Sequence, residues 1–83
     1  MLMTITIYST PTCVYCKAAK KFFIDHNLDY KEVDVAMDPA AAQDLIEKSG
    51  QLGVPVIIVN QDGKDTVLVG YNQSKLKQVL SVT

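Results

Sequence analysis

The chain has one histidine, two cysteines, no block of like charge and no long apolar run. Each scarcity closes off a class of function. No stretch reaches the roughly 18 apolar residues a membrane-spanning helix requires. The opening run from Met1 to Tyr8 carries no basic leader and is too short for a signal peptide. The expectation is a cytoplasmic chain with no membrane partner. A net charge of −1, from eight basic and nine acidic residues, offers no broad cationic field to nucleic acid. Lys17, Lys20 and Lys21 cluster locally and read as the solvated face of a helix. A structural zinc site takes four ligands, and two cysteines plus one histidine fall short. His26 stands on the same helix as Cys16 but about 15 Å further along it, at about 1.5 Å per residue. Covalent haem attachment needs histidine directly after the second cysteine, where Lys17 stands. Cysteine-protease chemistry needs a histidine base beside the nucleophile, and none is placed for it. No metal is expected.

What remains is enough for one small globular unit. Eighty-three residues allow a single domain, and 48% hydrophobic content suffices for its core. Ile5, Ile7 and Tyr8 form a β-favouring run ended by Ser9, Thr10, Pro11 and Thr12. Val14, Ala18 and Phe22, with Ala19 and Phe23 beside them, then recur at helical spacing, fading near His26 and Asn27. Tyr30 to Val35 alternates as a second strand. Asp38 as N-cap, Pro39 at the first helical position and Gly50 as a left-handed stop bracket a second helix. Its Ala42, Leu45, Ile46 and Ser49 share one side. Val54 to Val59 is a β-branched run broken only by Pro55, as in a strand buried on both faces. Asp62-Gly63 turns the chain into a hairpin partner over Thr66 to Val69. Gly70 breaks that strand, and Ser74 can cap a last helix whose Leu76, Val79 and Leu80 face inward. The order β-α-β-α-β-β-α predicts an α/β fold. Its first two strands are parallel across a helix and its last two form a hairpin. The result is a four-stranded mixed sheet flanked by three helices.

The chemistry gathers at Cys13-Val14-Tyr15-Cys16. A disulfide closing so short a loop restrains the unfolded chain very little, so the pair is not a structural staple. In a reducing compartment such a pair is catalytic or metal-binding. It falls directly after the first strand, where the first helix starts. A thiol there faces unsatisfied backbone N–H groups and the positive end of the helix dipole. Both favour the thiolate, with pKa values of roughly 3.5–7.5 at such sites. Cys13 at the tip is expected to be exposed and to attack. Cys16, one turn in, is expected to be buried and to resolve the mixed disulfide. Pro55 sits awkwardly in a run that otherwise reads as a central strand. The conflict resolves if it opens the strand with a cis peptide bond. A trans proline at a strand start is the commoner case in general.

Four segments carry a resemblance that spans nearly the whole chain. They are Tyr8 to Cys16, Lys48-Ser49-Gly50, Gly53-Val54-Pro55 and Gly70-Tyr71. Together they resemble the glutaredoxins and their relatives within the thioredoxin fold. The resemblance implies that Pro55 is cis and faces the dithiol, and that the Val54 backbone pairs with an incoming peptide or glutathione. It also implies that Gly70-Tyr71 forms the far wall of the groove, and that Tyr15 is exposed to stack on substrate. The implied substrate-binding set is Thr10, Pro11, Thr12, Tyr15, Gly53, Val54, Pro55, Gly70, Tyr71 and Asn72.

The departures bear on the electron donor. Glutathione-using glutaredoxins resemble one another in a basic residue where Thr10 stands and acidic residues where Asn72 and Gln73 stand. Those charges would hold the carboxylate and ammonium groups of glutathione. Gln51 or Lys48 could supply part of a glutathione site. The pattern is similar to redoxins of the NrdH and YruB type, the first of which take electrons from thioredoxin reductase. The expectation is therefore a monomeric dithiol–disulfide oxidoreductase acting on protein disulfides. It binds no cofactor beyond its own Cys13–Cys16 disulfide, and thioredoxin reductase or glutathione is its electron donor. Two alternatives stand beside it. One is a glutathione-dependent glutaredoxin acting on glutathione mixed disulfides. The other is a non-enzymatic scaffold sharing an iron–sulfur cluster between two chains.

Overall fold

The computed structural model describes residues 3–51 and 53–80. Its elements follow the expected order: β1 (Met3–Ser9), α1 (Val14–Asp25), β2 (Lys31–Asp34), α2 (Pro39–Ser49), β3 (Val56–Gln61), β4 (Lys64–Val69) and α3 (Gln73–Leu80). The strands form one mixed sheet in the order β2-β1-β3-β4. β1 pairs parallel with β2 and antiparallel with β3, and β3 pairs antiparallel with β4. Asp62 and Gly63 make the hairpin turn, both with positive φ.

Strand alternation divides the core between the two faces of the sheet. Ile5, Ile7, Ile57 and Val59 meet Ala19, Phe22 and Phe23 of α1 and Leu76 and Leu80 of α3. Tyr8, Val56 and Ile58 point the other way and meet Leu45 of α2. Residues 56 to 59 are therefore buried throughout, which is why their sequence shows a β-branched run and no alternation.

The second helix is capped as its sequence indicates. Asp38 accepts hydrogen bonds from the N–H groups of Ala40 and Ala41, Pro39 opens the helix, and Gly50 closes it at φ 76°. Asp38→Ala is expected to cost about 1 kcal/mol of stability, read from the urea midpoint.

Several local expectations are corrected. Val14 does not join the apolar stripe of α1: it is 74% exposed, and the buried face is Cys16, Ala19, Phe22 and Phe23. At 3.6 residues per turn it points roughly 150° away from the centre of that face, whereas Cys16 in the same turn lies on it. Ile46 is likewise 40% exposed while its neighbour Leu45 is sealed, because one helical step turns it off the sheet. Ser74 is not the cap of α3. Asn72 holds that place, its Oδ1 accepting from Lys75 N–H at 3.1 Å, and the helix begins at Gln73. The second strand is shorter than expected, although Val35 N–H still bonds to Ser9 C=O at 3.0 Å. β4 is longer, starting at Lys64 and not Thr66, because the tight turn pairs Lys64 with Gln61.

Candidate active site

β1 runs out at Ser9, and the next four residues carry the chain to α1. Cys13 N–H bonds back to Thr10 C=O at 3.2 Å, closing a turn over Pro11 and Thr12. That turn sets Cys13 at the N-cap of α1 with extended backbone angles of φ −82° and ψ 113°. Its sulfur does what an N-cap oxygen would do: it accepts the Cys16 N–H at 3.0 Å. Cys13 and Cys16 form a disulfide, with Cα atoms 5.2 Å apart. Cys13 is partly exposed, while Cys16 has no exposed surface. Between them Val14 and Tyr15 project outward at 74% and 65% exposure. Thr10 is half-buried, and Pro11 and Thr12 are exposed.

The register brings the other expected residues to this end of the sheet. Tyr8 pairs with Val56, and Val56 pairs with Val69, so the segments before β3 and after β4 lie at the same end of the sheet as the end of β1. The Val54–Pro55 peptide bond is cis. Pro55 is buried, Val54 half-buried and Gly53 exposed. Gly70 adopts φ 84° and donates its N–H to Pro55 C=O at 2.8 Å, tying the two flanking segments together. Tyr71 packs on the α1–α3 side of the core. Asn72 is placed here too, but its side chain is committed to capping α3. A cavity of about 250 Å³ opens beside Gly70 and Asn72, lined also by Val69, Lys75 and Leu76, and neither cysteine contributes to it. His26 lies at the opposite end of α1, stacked on Phe22 with ring centroids 4.2 Å apart.

Three polar contacts that sequence reading missed brace the base of the site. Ser9, 1% exposed, donates to Glu32 Oε2 at 2.8 Å, and Lys20 Nζ donates to the same oxygen at 2.7 Å. These bonds lace α1 to β1 and β2 just behind the Cys13 turn. The Lys20 hydrogen bond, then that of Ser9, hold the Glu32 carboxyl below its ordinary 4.5. On the other face Tyr8 donates to Asp44 Oδ2 at 2.6 Å, which joins β1 to α2. Burial, then this hydrogen bond, raise the Tyr8 phenol above its ordinary 10.0. None of these pairings has a local sequence signature, since the partners are 23, 12 and 36 residues apart.

Glu32 gives a prediction of defined sign. Its folded pKa lies below the unfolded one, so its contribution is present above the unfolded value and lost as pH falls through the folded value. Glu32→Gln is expected to flatten the acid limb of the stability–pH curve below about pH 5. The loss at neutral pH is expected to stay under about 1 kcal/mol, because the pair is partly exposed. Urea midpoints measured across that range check both statements.

Comparison with known proteins agrees with this geometry. The glutaredoxin family model matches residues 5–63, a span that includes both cysteines and Pro55. A glutaredoxin-like 8.6 kDa protein of the rubredoxin operon of Clostridium pasteurianum is 40% identical over 92% of this chain and 96% of its own. The crystal structure of the thioredoxin-like protein BC3987 superposes with a TM-score of 0.78 at 32% identity, covering 92% of this chain and 99% of that one. The NrdH-redoxin of Escherichia coli, described as glutaredoxin-like with a thioredoxin-like activity profile, superposes with a TM-score of 0.76 at 26% identity, covering 92% and 93%. A thioredoxin-like fold, a dithiol pair at the tip of its first helix and a family match over most of its length lead to one conclusion: the chain belongs to the glutaredoxin family, whose members are typically thiol–disulfide oxidoreductases.

Proposed function

We propose that this protein reduces protein disulfides, with Cys13 as nucleophile and Cys16 as resolving thiol. The contrast between the two sulfurs carries the reading. Cys13 is reachable and caps α1, whereas Cys16 lies sealed one turn below it. In the reduced chain the Cys13 sulfur meets the N–H groups and positive dipole end of α1, which favour the thiolate. That thiolate attacks one sulfur of the substrate disulfide, and the other sulfur leaves and takes a proton. Cys16 then gives up its proton and attacks the Cys13 sulfur of the mixed disulfide. The second substrate thiol departs, the Cys13–Cys16 disulfide remains, and two electrons have passed to the substrate.

In this reading the groove is lined by Thr10, Pro11, Thr12 and Tyr15 on one side and by Gly70 and Tyr71 on the other. The Val54 backbone, just before Pro55, pairs with the substrate peptide. Electrons return from a flavoprotein reductase of the thioredoxin reductase class. Two things support that donor over glutathione. The NrdH-redoxin it resembles has a thioredoxin-like activity profile. Thr10, Asn72 and Gln73 are neutral where glutathione recognition uses charge, and the Asn72 Oδ1 atom already accepts from the Lys75 N–H of α3.

The test is an NADPH-coupled assay run in parallel with thioredoxin reductase and with glutathione plus glutathione reductase. Turnover is expected with the first and only background with the second. The reverse pattern would make the protein a glutathione-dependent glutaredoxin. An iron-bearing, coloured dimer on anaerobic purification would point to the cluster scaffold.

A further inference from the structure

We propose that Gln51 is a positioning residue for the substrate peptide, its side-chain amide serving as a surrogate strand that fixes how Val54 is presented. The inference rests on the peptide-pairing role of Val54 proposed above and adds the device that sets it up. The Gln51 Oε1 atom accepts from Gly53 N–H at 3.2 Å, and Gln51 Nε2 donates to Gly53 C=O at 3.2 Å. One primary amide thus satisfies both backbone groups of a single residue. A neighbouring strand residue does the same in a hydrogen-bonded antiparallel pair. Both groups of Gly53 can reach one amide only if they point the same way, which requires extended backbone there. The Gly53 C=O and the Val54 N–H share one trans peptide plane and point in opposite directions, so holding the carbonyl toward Gln51 turns the Val54 N–H away from it, just where the chain bends. Among the described residues, no hydrogen bond occupies the Val54 N–H or C=O.

Gly53 is the matching half of the device. Its φ is not in the left-handed region, so backbone freedom does not account for a glycine here. Close approach does: a Cβ on residue 53 would lie 2.7 Å from Gln51 Oε1 and 3.4 Å from Gln51 Cδ. The amide lies flat against the Cα that glycine leaves bare. Removing it would leave Gly53 to water at little cost in stability, because the pair is exposed. What is lost is preorganisation: the fraction of chains with Val54 correctly turned falls, and apparent affinity falls with it.

The test compares wild type and Gln51→Ala on two substrates, an extended peptide bearing a disulfide and hydroxyethyl disulfide, which has no peptide backbone. The expected result is a KM for the peptide raised about three- to tenfold with kcat unchanged, and both constants unchanged for hydroxyethyl disulfide. Gly53→Ala, which expels the amide from the other side, is expected to raise the peptide KM in the same range. An unchanged peptide KM in Gln51→Ala, or an equal change for both substrates, would overturn the proposal while leaving disulfide reduction standing. Amide hydrogen exchange at Gly53 supplies a readout independent of turnover. Exchange is expected to quicken about threefold or more in Gln51→Ala, and equal rates in the two proteins would refute the clamp. A wild type that turns over neither substrate but keeps this exchange difference would instead refute the proposed function.

Discussion

Cys13→Ser is expected to abolish disulfide reduction, lowering the rate by on the order of a thousandfold or more. The serine hydroxyl can still cap α1, since its oxygen can accept the Cys16 N–H that the sulfur accepts now. The fold should therefore survive while the nucleophile is lost, and a circular dichroism spectrum matching wild type would verify that. Cys16→Ser behaves differently. Cys13 still attacks, but nothing expels the second substrate thiol, so the mixed disulfide accumulates and is visible as an added mass on the intact protein. The two variants together assign roles that neither assigns alone. Full insulin-reducing activity in Cys13→Ser, or a trapped adduct on Cys16 in place of Cys13, would reverse the assignment drawn from exposure and helix position.

The second large effect concerns stability. Phe23 is fully buried, contacts the Tyr30 ring at a centroid distance of 5.3 Å, and packs α1 against the sheet. Truncation to alanine removes a large apolar surface and leaves a cavity that the surrounding core can fill only in part. Phe23→Ala is expected to cost about 3–5 kcal/mol, against a total of about 5–15 kcal/mol for a domain of ordinary stability. Each kcal/mol corresponds to roughly 4–8 °C in Tm at this size, so calorimetry should show a fall of more than about 12 °C. A fall below about 5 °C would mean that α1 is held chiefly by its other contacts. Activity is expected to fall in step with unfolding and not before it, because the residue lies in the core and Cys13 at the helix tip.

Much of this was legible in the chain of letters because it depends on short-range rules. The bounds of α2 follow from Asp38, Pro39 and Gly50, whose effects are exerted within one turn. The buried run of β3 announces a central strand because both its faces must be apolar. The dithiol is readable for the same reason: a thiol where a strand gives way to a helix meets the helix dipole whatever else the chain does. The α3 cap was readable as well. Asn72 is as strong a cap as Ser74 and stands three residues before the N–H it accepts from, so the chain offers two local signals for one cap.

The exposure of Val14, by contrast, cannot be read from helical spacing. Periodicity offers overlapping stripes, one through Val14, Ala18 and Phe22 and one through Cys16, Ala19 and Phe23, and does not say which of them meets the sheet. The Ser9–Glu32–Lys20 lacing and the Tyr8–Asp44 bond join residues whose proximity exists only once β1, β2 and the helices are assembled. The pairing of Gln51 with Gly53 is close in sequence and was still invisible, because a glutamine in a loop has many places to put its amide. Forces that act within a turn of the backbone thus declared the element order, the caps and the reactive pair in advance. Which side chains would meet across the sheet, and which would be left facing solvent, awaited the packing, since those contacts cost chain entropy that only the assembled core repays.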